Sequence, residues 1–177
     1  MQLNLVPHPS TPPSNPGFKV WASVDHASLL GATATTNIWF GVGAPADRFV
    51  IPESEEPGRR DELWRSTCFE AFLRGEGEAY REWNFAPSGD WAAYEFMSYR
   101  KGMSEPEVLA PYIRMEDNMT WWAVGATIAT DAGLPWSLGL SAVLQEKDGT
   151  KSYWALAHSR EDKPDFHLAD CFTAKLA

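Results

Sequence analysis

The chain has 177 residues, enough for one domain that removes about 70% of its extended-chain surface from water without a metal or disulfide staple. A hydrophobic fraction of 44% and a charged fraction of 22% exclude a disordered chain, a collagen and a coiled coil. The formal net charge of -9 repels phosphate backbones and anionic lipid, so neither nucleic acid nor a membrane is an expected partner.

The opening Met1-Gln2-Leu3-Asn4-Leu5-Val6-Pro7 lacks the basic start and apolar stretch of a secretory signal, and a cytoplasmic location is expected. Five prolines between Pro7 and Gly17 mark residues 1–17 as a Pro-rich arm, a tail or an extended edge; residues 18–177 read as a single domain. From there the apolar period is two. Phe18, Val20, Ala22 and Val24 share one strand face, and Thr33 to Val42 forms a second strand. Pro52 to Glu62 reads as a long exposed loop. Thr67 to Leu73 carries Phe on both faces, as a central strand covered on both sides does. Tyr80 to Phe85 and Trp91 to Phe96 flank the turn Pro87-Ser88-Gly89-Asp90, which predicts a hairpin. Trp122 to Ile128 and Trp136 to Leu144 follow as strands. Asp148-Gly149 then turns the chain into a strand running from Ser152 to His158. Only Asp25–Leu30 and Glu105–Leu109 look helical. Short strands joined by turns, without helical crossovers, predict an all-β protein, an antiparallel β-sandwich. Cys68 and Cys171 have no metal or redox spacing and are expected to be reduced and buried.

Three segments concentrate polar and aromatic side chains. In the first, Trp64 stands at a loop-to-strand junction, where it either plugs the sandwich end or presents its ring to a ligand. Glu70 lies mid-strand opposite Phe69 and Ala71, so it needs a partner, Arg100 or Arg81, or a ligand. The second is the hairpin, whose Trp83, Phe85 and Trp91 serve as cross-strand pairs. In the third, alternation puts Trp154 and His158 on one face, and a loop with Asp165 and His167 follows. Two His with carboxylates suit zinc or a proton-transfer pair, yet the spacing of His158 and His167 matches no established metal motif. No nucleophile elbow, phosphate loop or zinc-protease helix is present.

The runs Asp61-Glu62-Leu63-Trp64-x-x-Thr67-Cys68-Phe69-Glu70-x-Phe72-Leu73 and Tyr80-x-Glu82-x-Asn84-Phe85-x-Pro87-Ser88-Gly89-x-Trp91-Ala92-x-Tyr94-x-Phe96-x-x-Tyr99-Arg100 resemble the bacterial DOMON-like family. Tyr153-Trp154-Ala155-Leu156-x-His158 and Pro164-Asp165-Phe166-His167 resemble it too. The resemblance implies a β-sandwich related to family 9 carbohydrate-binding modules and to haem- or sugar-binding DOMON domains. In those modules two tryptophans hold a sugar while a carboxylate and an arginine bond its hydroxyls. Trp64 and Trp154 match the indoles, Glu70 the carboxylate and Arg100 the arginine, with His158 beside them. The expected function is therefore non-catalytic binding of a carbohydrate or sugar-like small molecule by Trp64, Glu70, Arg100, Trp154 and His158, with Asp165 and His167 as a second choice. A haem-binding redox module, using His158 or His167 with Met97 or Met103, is one alternative. An enzyme using His158, His167 and Asp165 is another. No motif indicates a cofactor or metal; haem and calcium enter only through relatives of the fold.

Overall fold

In the computed structural model, residues 1–28, 33–131 and 136–176 are described. They form eleven strands: β1 (Gln2–Pro7), β2 (Val20–Ser28), β3 (Thr33–Val42), β4 (Cys68–Arg74), β5 (Tyr80–Phe85), β6 (Trp91–Phe96), β7 (Tyr112–Asp117), β8 (Trp122–Asp131), β9 (Trp136–Gln145), β10 (Lys151–Ala155) and β11 (Ala174–Leu176). Among the described residues there is no α-helix; the helical content is three 3-10 turns, at Ala46–Arg48, Leu63–Arg65 and Ala169–Cys171. The all-β antiparallel reading is thus what the chain adopts.

Hydrogen bonds run without a break through the order β6-β5-β4-β9-β10-β1-β2-β3-β8-β7, every pairing antiparallel, with β11 added to β9. The path doubles back at β1, whose Gln2–Leu5 pair with β2 while Val6 and Pro7 pair with β10. Two layers therefore face each other across one core. Phe40 on β3 stacks on Phe69 of β4 at 5.1 Å, and Phe69 meets Trp122 of β8 at 5.5 Å. Alternate residues of both layers, among them Val20, Ile38, Val124, Ala71, Trp83, Leu140 and Leu144, complete this core. Trp83, Phe85 and Trp91 belong to it, with Trp83 5.9 Å from Trp91.

Several expectations are corrected. Asp25 to Ser28 continues β2, because each residue there pairs with β3; Leu29 and Leu30 lie outside the described residues. Glu105 to Leu109, interrupted by Pro106, is irregular chain rather than helix. The strand expected to reach His158 stops at Ala155. Strands β1, β7 and β11 are additions. Their apolar alternation is short or, in Tyr112–Asp117, diluted by charge on an exposed edge. The segment after β1 is fastened by Glu146, whose carboxylate accepts the Ser14 amide at 2.9 Å and the Ser14 hydroxyl.

The β4, β5, β6 and β9 layer is covered on its outer face as well. Phe72, Tyr80, Tyr94, Phe96 and Val143 project there and meet Phe166, Cys171 and Phe172 of the C-terminal segment. Gly139 makes this possible: a Cβ at that position would stand 2.5 Å from the Phe172 ring, which stacks on Phe72. Gly139→Ala is therefore expected to destabilise the fold by about 1–3 kcal/mol through overpacking. Thermal unfolding should show a drop of several degrees, at about 2–4 °C per kcal/mol for this chain length. An unchanged midpoint would contradict the close seat of Phe172.

Candidate functional site

Period two places Glu70 of β4, Glu82 and Asn84 of β5, Tyr94 and Phe96 of β6, Ser141 and Val143 of β9, and Tyr153 of β10 on the outer face. The C-terminal segment covers one part of that face. The rest is the floor of a cleft of about 680 Å³, within the range of about 300–1,000 Å³ usual for small-molecule sites. Its walls are Asp61, Glu62 and Trp64 on one side, Arg100, Met103 and Glu105 on another, and Pro164, Phe166 and His167 on a third.

The floor is polar and buried. Glu70 is 4% exposed and Glu82 is 5% exposed. The Ser141 hydroxyl donates to Glu70 Oε2 at 2.7 Å, and the Asn84 amide donates to Glu82 Oε1 at 2.7 Å. Burial, and then the charge of Glu82, push Glu70 up to about 8, while burial likewise raises Glu82. The Tyr80 oxygen accepts the Arg100 backbone N–H at 3.2 Å, and its hydroxyl meets His167 Nδ1 at 2.8 Å. The other ring nitrogen, Nε2, stands 3.7 Å from Glu82 Oε2. Burial, and next the Arg100 charge, lower His167 to about 4, so it is neutral at pH 7. The Tyr94 hydroxyl donates to Asp61 Oδ1 at 2.6 Å and ties the floor to a wall.

Carboxylates behind the walls hold them in place. Asp165 accepts Arg100 Nη2 at 3.0 Å, the Tyr99 hydroxyl and the His167 amide. Although its burial acts the other way, these bonds keep Asp165 below the usual carboxylate range. Asp90 does the same for the 52–62 loop, accepting Gly58 N, Arg60 Nε and Ser54 Oγ at 3.0, 2.9 and 3.1 Å. Two wall residues, Glu62 at φ 60 and Arg100 at φ 52, occupy the left-handed region, and among the described residues they are the only non-glycines that do.

The structure brings Trp64, Glu70, Arg100 and His167 to this cleft and sets Asp165 directly behind Arg100. It does not bring Trp154 or His158 there. Trp154 is 2% exposed and points into the inter-sheet core, with Nε1 donating to Ser152 Oγ at 2.9 Å. Its neighbour Tyr153 has the opposite parity and lines the cleft instead. His158 lies past the end of β10, where Nε2 meets the Val6 carbonyl at 2.9 Å and the ring packs edge-on against His8. No described contact joins His158 to His167 or Asp165, so these three do not form a proton-transfer set. Arg100 bonds Asp165 rather than Glu70, and Arg81 pairs with Glu95. Residues not anticipated are Glu82, Tyr94, Tyr153 and Phe166. The run Tyr80-x-Glu82-x-Asn84, alternating with Trp83 and Phe85, carried the signal for Glu82: a polar face on a strand whose other face is apolar.

The donor set does not fit haem with His and Met ligands. Both ring nitrogens of His167 face protein partners, and Nε2 of His158 is taken by a backbone carbonyl. Of the two methionines, Met103 lines this cleft and Met97 does not. Among the described residues, no group of three or more His, Cys, Asp or Glu is placed to hold a metal ion. Cys68 and Cys171 are both free and buried.

Two outcomes follow from these placements. Trp154→Ala should cost about 3–5 kcal/mol as a core truncation, whereas Trp64→Ala, at a site 46% exposed, should stay within about 0.5 kcal/mol. Denaturant unfolding of the two variants measures the contrast, and equal losses would refute it. Glu70 also links stability to pH. Its folded-state value lies above the ordinary 4.5, so the folded protein holds the proton more tightly. That contribution is present below about pH 4.5 and lost as pH rises through about 8. His167 acts oppositely, adding stability as pH rises from about 4 through 6.5. Glu70→Gln removes only the first effect. Its melting temperature relative to wild type should therefore climb between pH 5 and pH 8, and a flat difference would count against the buried carboxyl.

No family model matches the chain, and no curated protein matches it. Among solved structures it is similar to a protein from Bacteroides uniformis ATCC 8492 provisionally described as carbohydrate-binding, with 12% identity over 98% of this chain and 84% of that one and a TM-score of 0.60. Weaker likenesses are to a family 9 carbohydrate-binding module from Caldicellulosiruptor kristjanssonii. In complex with glucose it gives 10% identity, 89% and 77% coverage and a TM-score of 0.47. In complex with cellotriose it gives 10% identity, 89% and 75% coverage and a TM-score of 0.47. At 12% identity, what the chain shares with the Bacteroides protein is its fold.

Proposed function

We propose that this chain is a non-catalytic module that binds a carbohydrate or sugar-like small molecule in the outer-face cleft. The observation that carries the reading is Trp64. A large indole, 46% exposed, stands at the lip of a cleft whose floor is buried and polar. A pyranose has an axial C–H face that packs on an indole and a rim of hydroxyls that needs directional partners. Glu70, Glu82 and Arg100 supply those partners, and Tyr153 and Phe166 supply further aromatic surface. The backbone at Glu62 and Arg100 adds weight, since left-handed non-glycine residues cost of order 1–3 kcal/mol each and concentrate at ligand clamps. One indole serves here rather than two, because Trp154 is in the core. The motifs Asp61–Leu73 and Tyr80–Arg100 that resemble the DOMON-like family contain most of the floor and one wall, and we infer membership of that family on the same footing.

A panel of mono- and oligosaccharides should raise the melting temperature of the native protein where one of them binds. For such a ligand, Trp64→Ala should weaken affinity by about 1–3 kcal/mol, as expected of an aromatic anchor, with the fold intact. Calorimetric titration of the variant measures this. Undiminished affinity would remove Trp64 from the site, and with it the reading.

A further inference from the structure

The cleft is one-sided in charge. Its described lining contains five carboxylates, Asp61, Glu62, Glu70, Glu82 and Glu105, against the single guanidinium of Arg100. The peripheral carboxylates are partly matched: Glu62 pairs with Arg65 at 2.6 Å, and Glu105 lies 3.7 Å from Arg59. Arg100 is committed to Asp165 at 3.0 Å, a pair with no net charge. The two deepest carboxylates are left over. Among the described residues no Lys or Arg lies within ion-pairing distance of Glu70 or Glu82; the Arg100 charge reaches both only from further off, and His167, 3.7 Å from Glu82, is neutral. Glu70 Oε1 has no hydrogen-bond partner among the described residues, and the residue, only 4% exposed, lines the cleft. A buried carboxylate without a counter-charge is costly, and a protonated pair would forgo the acceptor capacity that the floor presents. The aromatic surfaces around it, Trp64, Tyr94, Phe96, Tyr153 and Phe166, suit a cation better than an anion, since ring faces attract positive charge.

We propose, building on the carbohydrate reading, that the ligand class is an amino sugar whose protonated amine sits at Glu70 and Glu82 while its ring packs on Trp64. An ammonium group supplies three donors and a full positive charge, which match the free Glu70 oxygen and the two-carboxylate floor. A neutral hexose supplies hydroxyl donors but no positive charge to draw the proton off the buried pair, and an N-acetyl hexosamine brings a bulkier uncharged amide.

The test is calorimetric titration of the full chain at pH 7 with glucosamine, galactosamine and mannosamine, each beside its parent hexose and its N-acetyl derivative. At least one hexosamine should bind about tenfold or more tightly than both its counterparts, the margin of one charge-assisted hydrogen bond. Glu70→Gln and Glu82→Gln should each erase that margin by weakening hexosamine affinity more than hexose affinity. Where a variant fails to fold, the ranking on the wild-type protein still decides. A hexose or N-acetyl sugar binding as tightly as its amine overturns the amino-sugar proposal and leaves the carbohydrate reading standing. Absence of binding by every sugar of the panel to the folded protein overturns both.

Discussion

Burial of β4, β5, β6 and β9 on both faces is the constraint from which the rest of the molecule follows. The inward face is apolar, as a core between two packed sheets must be, and contributes Phe69, Ala71, Trp83, Phe85, Leu138 and Leu140. The outward face is also withdrawn from water, but it carries Glu70, Glu82, Asn84 and Ser141. Polar groups in such a place have to find partners. Ser141 and Asn84 serve the two glutamates, and what those bonds leave unmatched opens onto the cleft. What the cleft exposes is the part of a buried polar network that the protein does not satisfy by itself.

The floor is rigid because it is sheet; the walls need other means. They come from segments with little regular structure, and buried carboxylates do the fastening. Asp90 gathers Ser54, Gly58 and Arg60 so that the loop delivers Asp61 and Trp64 to the lip. Asp165 gathers Tyr99, Arg100 and the His167 amide, joining two walls through one side chain. Both acids remain ionised because each receives several donors. The left-handed backbone at Glu62 and Arg100 is tolerated within the same arrangement. A cleft fixed in this way has little conformational entropy left to lose.

Alternation along the chain was sufficient to read the all-β class, most of the strands, the two hairpins and the position of Glu70 opposite Phe69 and Ala71. It works because a strand's side chains alternate whatever surrounds it. The exposed loop ending at Trp64 was legible for a related reason, since Pro, Glu and Arg together cannot form a core. Strands β1 and β7 escaped notice. The first is a short stretch shared between two sheets, and the second is a charged edge with one weakly apolar face.

Alternation cannot say which face is the inside, and that choice belonged to the tertiary structure. Trp154 and Tyr153 are equally good candidates in sequence; pairing of β10 with β9 and β1 turns the indole into the core and the phenol into the cleft. Period two also fails once a strand ends, so His158, beyond Ala155, left the face that it was expected to share. The meeting of Glu70 with Glu82, of Arg100 with Asp165 and of Tyr80 with His167 joins residues 12, 65 and 87 positions apart. The chain by itself determined the strands and the chemistry on each face. Only the folding of one sheet path over on itself at β1, with the C-terminal segment laid across its outer side, decided which of that chemistry would be buried, paired or left open to the cleft.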